Sequence, residues 1–496
     1  MILTLWFEQI IEITIKTTYY WAKLVQYKWI VLSNTTLGTL MSSLDSNIVI
    51  VAIPTIAREL PKTSFFDLLW VLLGYQLVTA SVLVNFGRLS DMFGRVKLYN
   101  IGFIVFTAGS ALSSIAQTGL QLVAFRMVQA LGAAFLFSNS AAIITDAFPV
   151  NERGRALGTN QVAIVVGSVT GLVLGGFLTS FAGWRSIFWV NIPIGIFATV
   201  WSHYRLKELA KLERKHSIDI YGNLAFVAGL ACILTSITLH AIGALDLLDS
   251  VIVATAGLAF LAFFIAIERR VSNPMFNLSL FKNRMFTAGN VAIFLNALAR
   301  GAVSLVLILY LQGPSMGLDP LTAGIYLTPM SASLAVLGPV SGWLSDRYGA
   351  RILASLGLLV SSLGFLMLSE IGARITFLQL LIPLILIGGG MGIFASPNRA
   401  SIMNSVEPEE RGLTAGVSTT LVNVGSTFSL GLAFAIITAG VPSSELQLIL
   451  LGSKVGADQG LIHNFLHSID LIYYISTIFQ LVAIIPSLMR GRGKSS

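Results

Sequence analysis

Asp45 stands in the run LMSSLDSNIVIVAIPTI and Arg126 in LVAFRMVQALGAA, both almost wholly apolar, in a chain with only 11% charged residues. A carboxylate at the middle of a membrane-crossing helix costs roughly 2.5–3.5 kcal/mol on insertion scales, so such a group is rarely idle. Desolvation favours the neutral form of a carboxyl group, which makes an acid in this position a candidate proton carrier. The other reading is an acid satisfied structurally by Ser42 or Asn47. Arg126 falls ~10 Å inside its own run at 1.5 Å per residue. From there its side chain either reaches Asp45 or snorkels outward along its aliphatic stem. A second deep cation, Arg300, shares a helical stripe with Asn296 and Ser304. It falls ~18 Å from the nearer end of its run. Three options stand for Arg300: it approaches Asp45, it binds an anionic group on a substrate, or backbone carbonyls of its own half satisfy it. Asn47, Asn296 and Arg300 are the residues assigned to a substrate cavity.

Other chemistries have weaker support. His463 and His467 have the i,i+4 spacing of metal ligands, but they fall in what reads as an outer loop with no cysteine beside them. No metal is assigned. The tail RGRGKSS ends like a phosphate-binding loop, yet Leu488 occupies its first glycine position and no helix follows. No cofactor is expected, and the chain does not read as an enzyme. The lone cysteine, Cys232, permits no internal disulfide.

The elements that hold these groups follow from composition. Of 496 residues 55% are hydrophobic, and the mean hydropathy is +0.82. Soluble domains carry about a quarter charged residues; here charge is depleted, as in a protein solvated by lipid. About fourteen apolar runs are long enough to cross ~30 Å of hydrocarbon. They must be helical, because lipid satisfies no stray backbone group. Alternating the connections puts most Lys and Arg, with both termini, on one side, which the positive-inside rule makes cytoplasmic. The net charge of +8 therefore reports topology and not nucleic-acid binding. A multi-pass plasma-membrane protein is expected, with the bilayer, protons and a small-molecule substrate as partners and no obligate protein partner evident.

The chain also repeats itself. GRLSDMFGRVK (87–97) returns as GWLSDRYGAR (342–351), and NERGRALG (151–158) as PEERGLTAG (408–416). Repeated halves mark secondary transporters, whose halves rock about a central site. The expected plan is all-α: an amphipathic interfacial segment (1–28), a six-helix bundle (29–203), a cytoplasmic connector (204–219), two inserted helices with a loop (220–284), a second six-helix bundle (285–489) and a basic tail (490–496). In the repeated turn Gly87 and Gly94 allow close approach and a sharp bend. Arg95 has the charge to pair with an acid. Gly167, Gly171 and Gly175 recur every four residues, with Gly176 following, so they line a face on which helix backbones touch.

GRLSDMFGRVK, with LDSNIVIVAIPTI, AFRMVQALGAA, GSVTGLVLGG, WRSIFWVNIPIG, PMFNLSLFKNRMF and YLQ, resembles the major facilitator superfamily, and within it the fourteen-helix drug:proton antiporters. The resemblance covers nearly the whole chain. It implies two six-helix halves plus two inserted helices, and efflux of small amphipathic compounds by alternating access. Export of one specific metabolite, or uncoupled facilitation, is the alternative. It implies a proton-linked acid at Asp45, with Arg126 and Gln129 taking part in proton transfer. It also implies a conformational latch of Gly87, Arg88, Asp91, Gly94 and Arg95 with Asp146, echoed by Gly342, Asp346, Arg347, Gly349 and Arg351. The glycines of 167–176 match the motif that seals the halves against each other.

Overall fold

The computed structural model describes residues 2–209, 219–271, 274, 276–313, 315–372, 374–407, 411–442 and 459–490, with the side chains of 2–26, 150–151, 154, 346, 411–412 and 459 outside that description. The basic tail beyond Arg490 and most of the charged connector thus lie outside the described residues.

Helices account for nearly everything described, and no strand occurs among the described residues. In chain order they are α1 (Ile2–Glu59), α2 (Phe65–Phe93), α3 (Arg95–Ser114), α4 (Gly119–Ala147), α5 (Val150–Ala182), α6 (Ser186–Trp189) and α7 (Asn191–Arg205). The inserted pair is α8 (Ile220–Ala241) and α9 (Leu247–Glu268). The second half comprises α10 (Arg284–Arg300), α11 (Val303–Gln312), α12 (Pro320–Tyr348), α13 (Ala350–Leu368), α14 (Phe377–Met403), α15 (Arg411–Gly440) and α16 (Gln459–Met489). Among the described residues 13 helical stretches are long and apolar enough to cross a membrane, with α10 and α11 counted as one. The fourteenth crossing is α6 with α7, broken at Val190. The helix that starts in segment 1–28 runs on without interruption into the first crossing.

Helix ends follow from the local sequence. Ser64 with Asp67, and Thr376 with Gln379, form reciprocal capping boxes, and Asp319 caps α12. Each satisfies backbone N–H groups that a helix start leaves open. At the opposite end of the bundle the repeated turns bend at Gly94 (φ 110°) and Gly349 (φ 82°), conformations that disfavour any side chain. Gly87 plays no such part: a Cβ there would meet nothing within 4 Å.

Two crossings are discontinuous, for different reasons. Pro193, in the first turn of α7, has no N–H to bond back to Trp189, so the helix restarts at Asn191. Between α10 and α11 the Ala302 N–H bonds to the Ser429 hydroxyl of α15 (3.0 Å). Its usual carbonyl partner four residues back is left, and the helix breaks at mid-depth.

Within each half, glycines set the closest approaches. A Cβ on Gly132 of α4 would collide with Phe106 of α3, and one on Gly390 of α14 with Ser361 of α13. Gly167 of α5 lies against Leu40 and Leu44 of α1, and Gly425 of α15 against Phe294 and Leu298 of α10. The repeat visible in the sequence is therefore a repeat of helix contacts. The inserted hairpin lies outside both halves but touches both: Leu230 and Leu234 of α8 pack among Leu77 and Ala80 of α2 and Val424 and Phe428 of α15. Trp70 Nε1 donates to Thr238 of α8 (3.3 Å).

A Cβ on Gly171 would sit 2.6 Å from the Leu44 carbonyl, whereas one on Gly158 would meet nothing within 4 Å. Gly171→Ala is expected to cost roughly 1–3 kcal/mol through overpacking, lowering the midpoint of thermal unfolding in detergent, while Gly158→Ala leaves it unchanged. Equal midpoints would mean that α1 and α5 are not closely packed.

Candidate functional site

Asp45, Arg126 and Gln129 come together in the first half. Asp45 is 0% exposed and Arg126 1% exposed. Arg126 Nη1 donates to Asp45 Oδ2 (2.5 Å) and to Gln129 Oε1 (2.6 Å), and Gln129 Nε2 donates to Asp45 Oδ1 (2.9 Å). One turn of α4 separates Arg126 from Gln129, so both lie on the face that looks at α1. A fourth residue completes the network: Asn191 Nδ2 donates to the same Asp45 Oδ1 (2.9 Å) and to Ser110 Oγ (3.2 Å). Every partner of the carboxylate is a donor. An ionised carboxylate only accepts, so the arrangement suits the anion; a proton on either oxygen would face a donor and break a bond. Ser42 and Asn47 are not partners of Asp45. Ser42 donates to the Gly38 carbonyl, and Asn47 to the Ser43 carbonyl and to Ser168 of α5.

The Arg126 guanidinium lies 4.1 Å from the Tyr75 ring centroid and 5.9 Å from that of Phe188. Aromatic faces attract a desolvated cation, so the charge is held even on the side without a carboxylate. Among the described residues its Nε has no hydrogen-bond partner, and neither does Asn191 Oδ1. Asn191 and Tyr75 were not expected at this site. The signal for Asn191 was its place two residues before a proline inside an apolar crossing, where the helix restarts; Tyr75 carried none.

The second half has the same scaffold without the chemistry. Gly132 corresponds to Gly390 by its contact with the neighbouring helix, and Leu40 to Phe294 by theirs. By that correspondence Arg126 becomes Leu384, Gln129 becomes Ile387 and Asp45 becomes Ala299.

The repeated turns are also unequal. Arg95 joins Asp91 through Nε (2.8 Å) and Asp146 through Nη1 (2.7 and 2.8 Å to its two oxygens). This ties the α2–α3 turn to the end of α4. Arg88 is not part of that cluster; it donates to the Pro274 carbonyl in the loop after α9. In the second half Asn404 corresponds to Asp146, Arg347 stacks on Trp343 (4.3 Å) and Arg351 is exposed. The side chain of Asp346 lies outside the described residues. A Cβ on Gly342 would reach Ser396 of α14 at 2.6 Å.

The glycine face of α5 divides its work. Gly167, Gly171 and Gly175 face α1 in their own half, and Gly176 alone meets the other half, at Pro320 and Leu321. A face spaced every four residues serves one neighbour, and Gly176, one step on, turns to the next. The halves meet at the end of the bundle away from the termini: Gly176 on Pro320, Leu172 on Gly324, Phe65 on Phe434, and Gln312 Nε2 on the Val51 carbonyl (3.0 Å). Toward the termini α5 and α12 part: a Cβ on Gly158 of α5 or on Gly338 of α12 would meet nothing within 4 Å, and Gln161 of α5 is exposed. The α2–α15 seam stays closed further down, through Gln76 with Thr427 and Val84 with Gly416. The cleft between the halves thus opens toward the end that carries the termini.

Arg300 is not among the partners of Asp45, whose two oxygens are already taken within the first half. Asn296 is buried and donates to Gln480 of α16 (3.1 Å), so it ties helices together and does not line the cleft. The helix breaks at Gly301, immediately after Arg300. Asn47 is held at the α1–α5 contact. His463 and His467 lie in the first turns of α16 and not in a loop.

The comparisons with known proteins agree with this architecture. The sequence profile of the Major Facilitator Superfamily matches residues 35–285 and 290–489. The riboflavin transporter RibZ of Clostridioides difficile is 34% identical over 418 residues, covering 83% of this chain and 88% of that protein. Multidrug resistance protein 3 of Bacillus subtilis is 29% identical, covering 89% and 86%. Among solved structures, a bacterial homologue of the human lysosomal transporter Spinster superposes with a TM-score of 0.65 at 18% identity, over 94% of this chain and 97% of that one. With two contact-equivalent halves around a cleft and a family match over most of its length, the chain belongs to the major facilitator superfamily.

Proposed function

We propose that this transporter couples the export of small amphipathic compounds to proton entry, by alternating access of the cleft, with both termini cytoplasmic in a plasma membrane. The observation that carries the reading is the desolvated Asp45–Arg126–Gln129–Asn191 network, present in one half and replaced by Ala299, Leu384 and Ile387 in the other. A structural role alone would be met by apolar packing, as the second half demonstrates.

In the proposed cycle a proton reaching Asp45 discharges the carboxylate. Arg126 then keeps its aromatic neighbours but loses its counter-ion, which leaves a buried cation without compensation. A proton taken up while the far end is open thus favours closing that end and opening the terminus-bearing end, where water reaches the cation. Release of the proton there restores the ion pair, and substrate bound in its place lets the far end reopen. The Arg95–Asp91–Asp146 cluster stabilises the helix arrangement at the terminus-bearing end, and its rupture accompanies the switch between states. Relatives that include multidrug resistance proteins support a broad amphipathic substrate range. The riboflavin transporter among them supports the narrower reading, in which a single metabolite is exported.

Four outcomes are expected. Asp45→Asn keeps the side chain's size and removes its charge; in proteoliposomes, uphill transport driven by a pH gradient falls to background while downhill exchange persists. Proton-driven transport at the wild-type rate would remove Asp45 from the coupling. Asp146→Asn deletes one partner of a half-buried ion pair worth about 1 kcal/mol, so turnover changes by a few-fold with normal membrane insertion. Asp91→Asn has the smaller effect, because Asp91 makes one contact with Arg95 and is the more exposed acid. Unchanged turnover in both variants limits these charges to fixing topology. Tags at either terminus stay protected from protease added outside intact cells; cleavage of either tag would reverse the orientation.

A further inference from the structure

Two arginines of the second half, Arg300 and Arg399, lack a counter-ion among the described residues. Arg300 ends α10 at the mid-depth break, is partly exposed, and makes no hydrogen bond, ion pair or ring contact among the described residues. Its direction follows from its helix neighbours. Ala297 and Gly301 of α10 lie against α15, Gly289 against Ile402 of α14, and Asn296 against α16. At about 100° per residue Arg300 falls between the α14 and α15 faces, the side that looks into the space between the halves. Arg399 stands one turn from the terminus-bearing end of α14, is exposed, and is likewise unpartnered among the described residues. Gly388 and Gly392 of α14 face α12, Gly390 faces α13, and Asn398 faces α10 and Arg490, which leaves Arg399 between α10 and α12. Both arginines therefore point into one cleft, Arg399 near its mouth and Arg300 at its depth.

Among the described residues no acid pairs with either arginine. Asp45 is neutralised by Arg126 inside the first half. The other deep acid, Asp470, lies toward the far end of α16 beside His467 and Glu370. A guanidinium at mid-membrane without a counter-ion is costly, and a ligand anion removes that cost. It also offers a planar fork of donors suited to carboxylate, sulfonate or phosphate oxygens.

We infer that the substrates are amphipathic organic anions, whose charged group is received by Arg300 at the α10–α11 break after passing Arg399 at the mouth. This rests on the transport reading but assigns the substrate class from the other half of the molecule.

The test is equilibrium binding to the full chain in nanodiscs of zwitterionic lipid, with three probes of one shape: 1-naphthoate, 1-naphthamide and 1-naphthylmethylammonium. A charge-assisted pair predicts that naphthoate binds about tenfold or more tightly than the amide, and the ammonium more weakly still. Arg300→Gln abolishes the difference between naphthoate and naphthamide, whereas Arg300→Lys retains most of it; both variants are checked for an unaltered thermal midpoint. The proposal is overturned by equal binding of anion and amide, by no binding of the anion, by tighter binding of the ammonium, or by an anion preference that survives Arg300→Gln. Because binding is read without a proton gradient, its failure is distinguishable from a failure of Asp45 coupling.

Discussion

The Asp45 carboxylate is the constraint around which the first half is arranged. A buried anion must be surrounded by donors, and the four helices or helix segments that meet here each respond to that need. The acid itself is on α1, Arg126 and Gln129 are one turn apart on α4, and α7 begins where Asn191 is required. Phe188 of α6 adds an aromatic face toward Arg126 and a carbonyl that accepts from Ser110. The glycines of α5 have a supporting role, since they let α1 lie close enough to its neighbour for Asp45 to be dry.

Duplication supplied two scaffolds, but polar chemistry occupies one. The glycine contacts between α3 and α4 have counterparts between α13 and α14, and those between α1 and α5 have counterparts between α10 and α15. The network residues do not. Packing geometry is set by small side chains and survives many substitutions at other positions, whereas a buried ion pair fails when either member changes. The second half is accordingly free to hold other functions, and it holds uncompensated arginines where the first half holds a balanced pair.

Much of this was legible in the sequence, and the reasons for the gaps are specific. Crossing helices were readable because lipid demands long apolar runs. Asp45 and Arg126 stood out because charge in such runs is rare, and Gln129 followed only from the family resemblance. Asn191 and Tyr75 did not, since one polar amide or phenol among apolar residues carries little signal until its neighbour is known. Depth could be counted along a helix, but direction could not. That is why Asn296 and Arg300, on one stripe, face different neighbours, and why Gly176 meets the other half while Gly175 does not. Arg88 was grouped with its sequence neighbours, whereas its side chain reaches the loop after the inserted pair, a tertiary contact with no local signature.

The inserted hairpin gives the molecule an unequal perimeter. Because α8 rests on α2 and α15 together, that seam is backed by a third helix, while among the described residues no further crossing helix backs the opposite seam, between α5 and α12. Any rotation of one half against the other must carry α8 along or shear its contacts, so the covered edge moves least and the bare edge most. The cleft then behaves like a book bound along one spine.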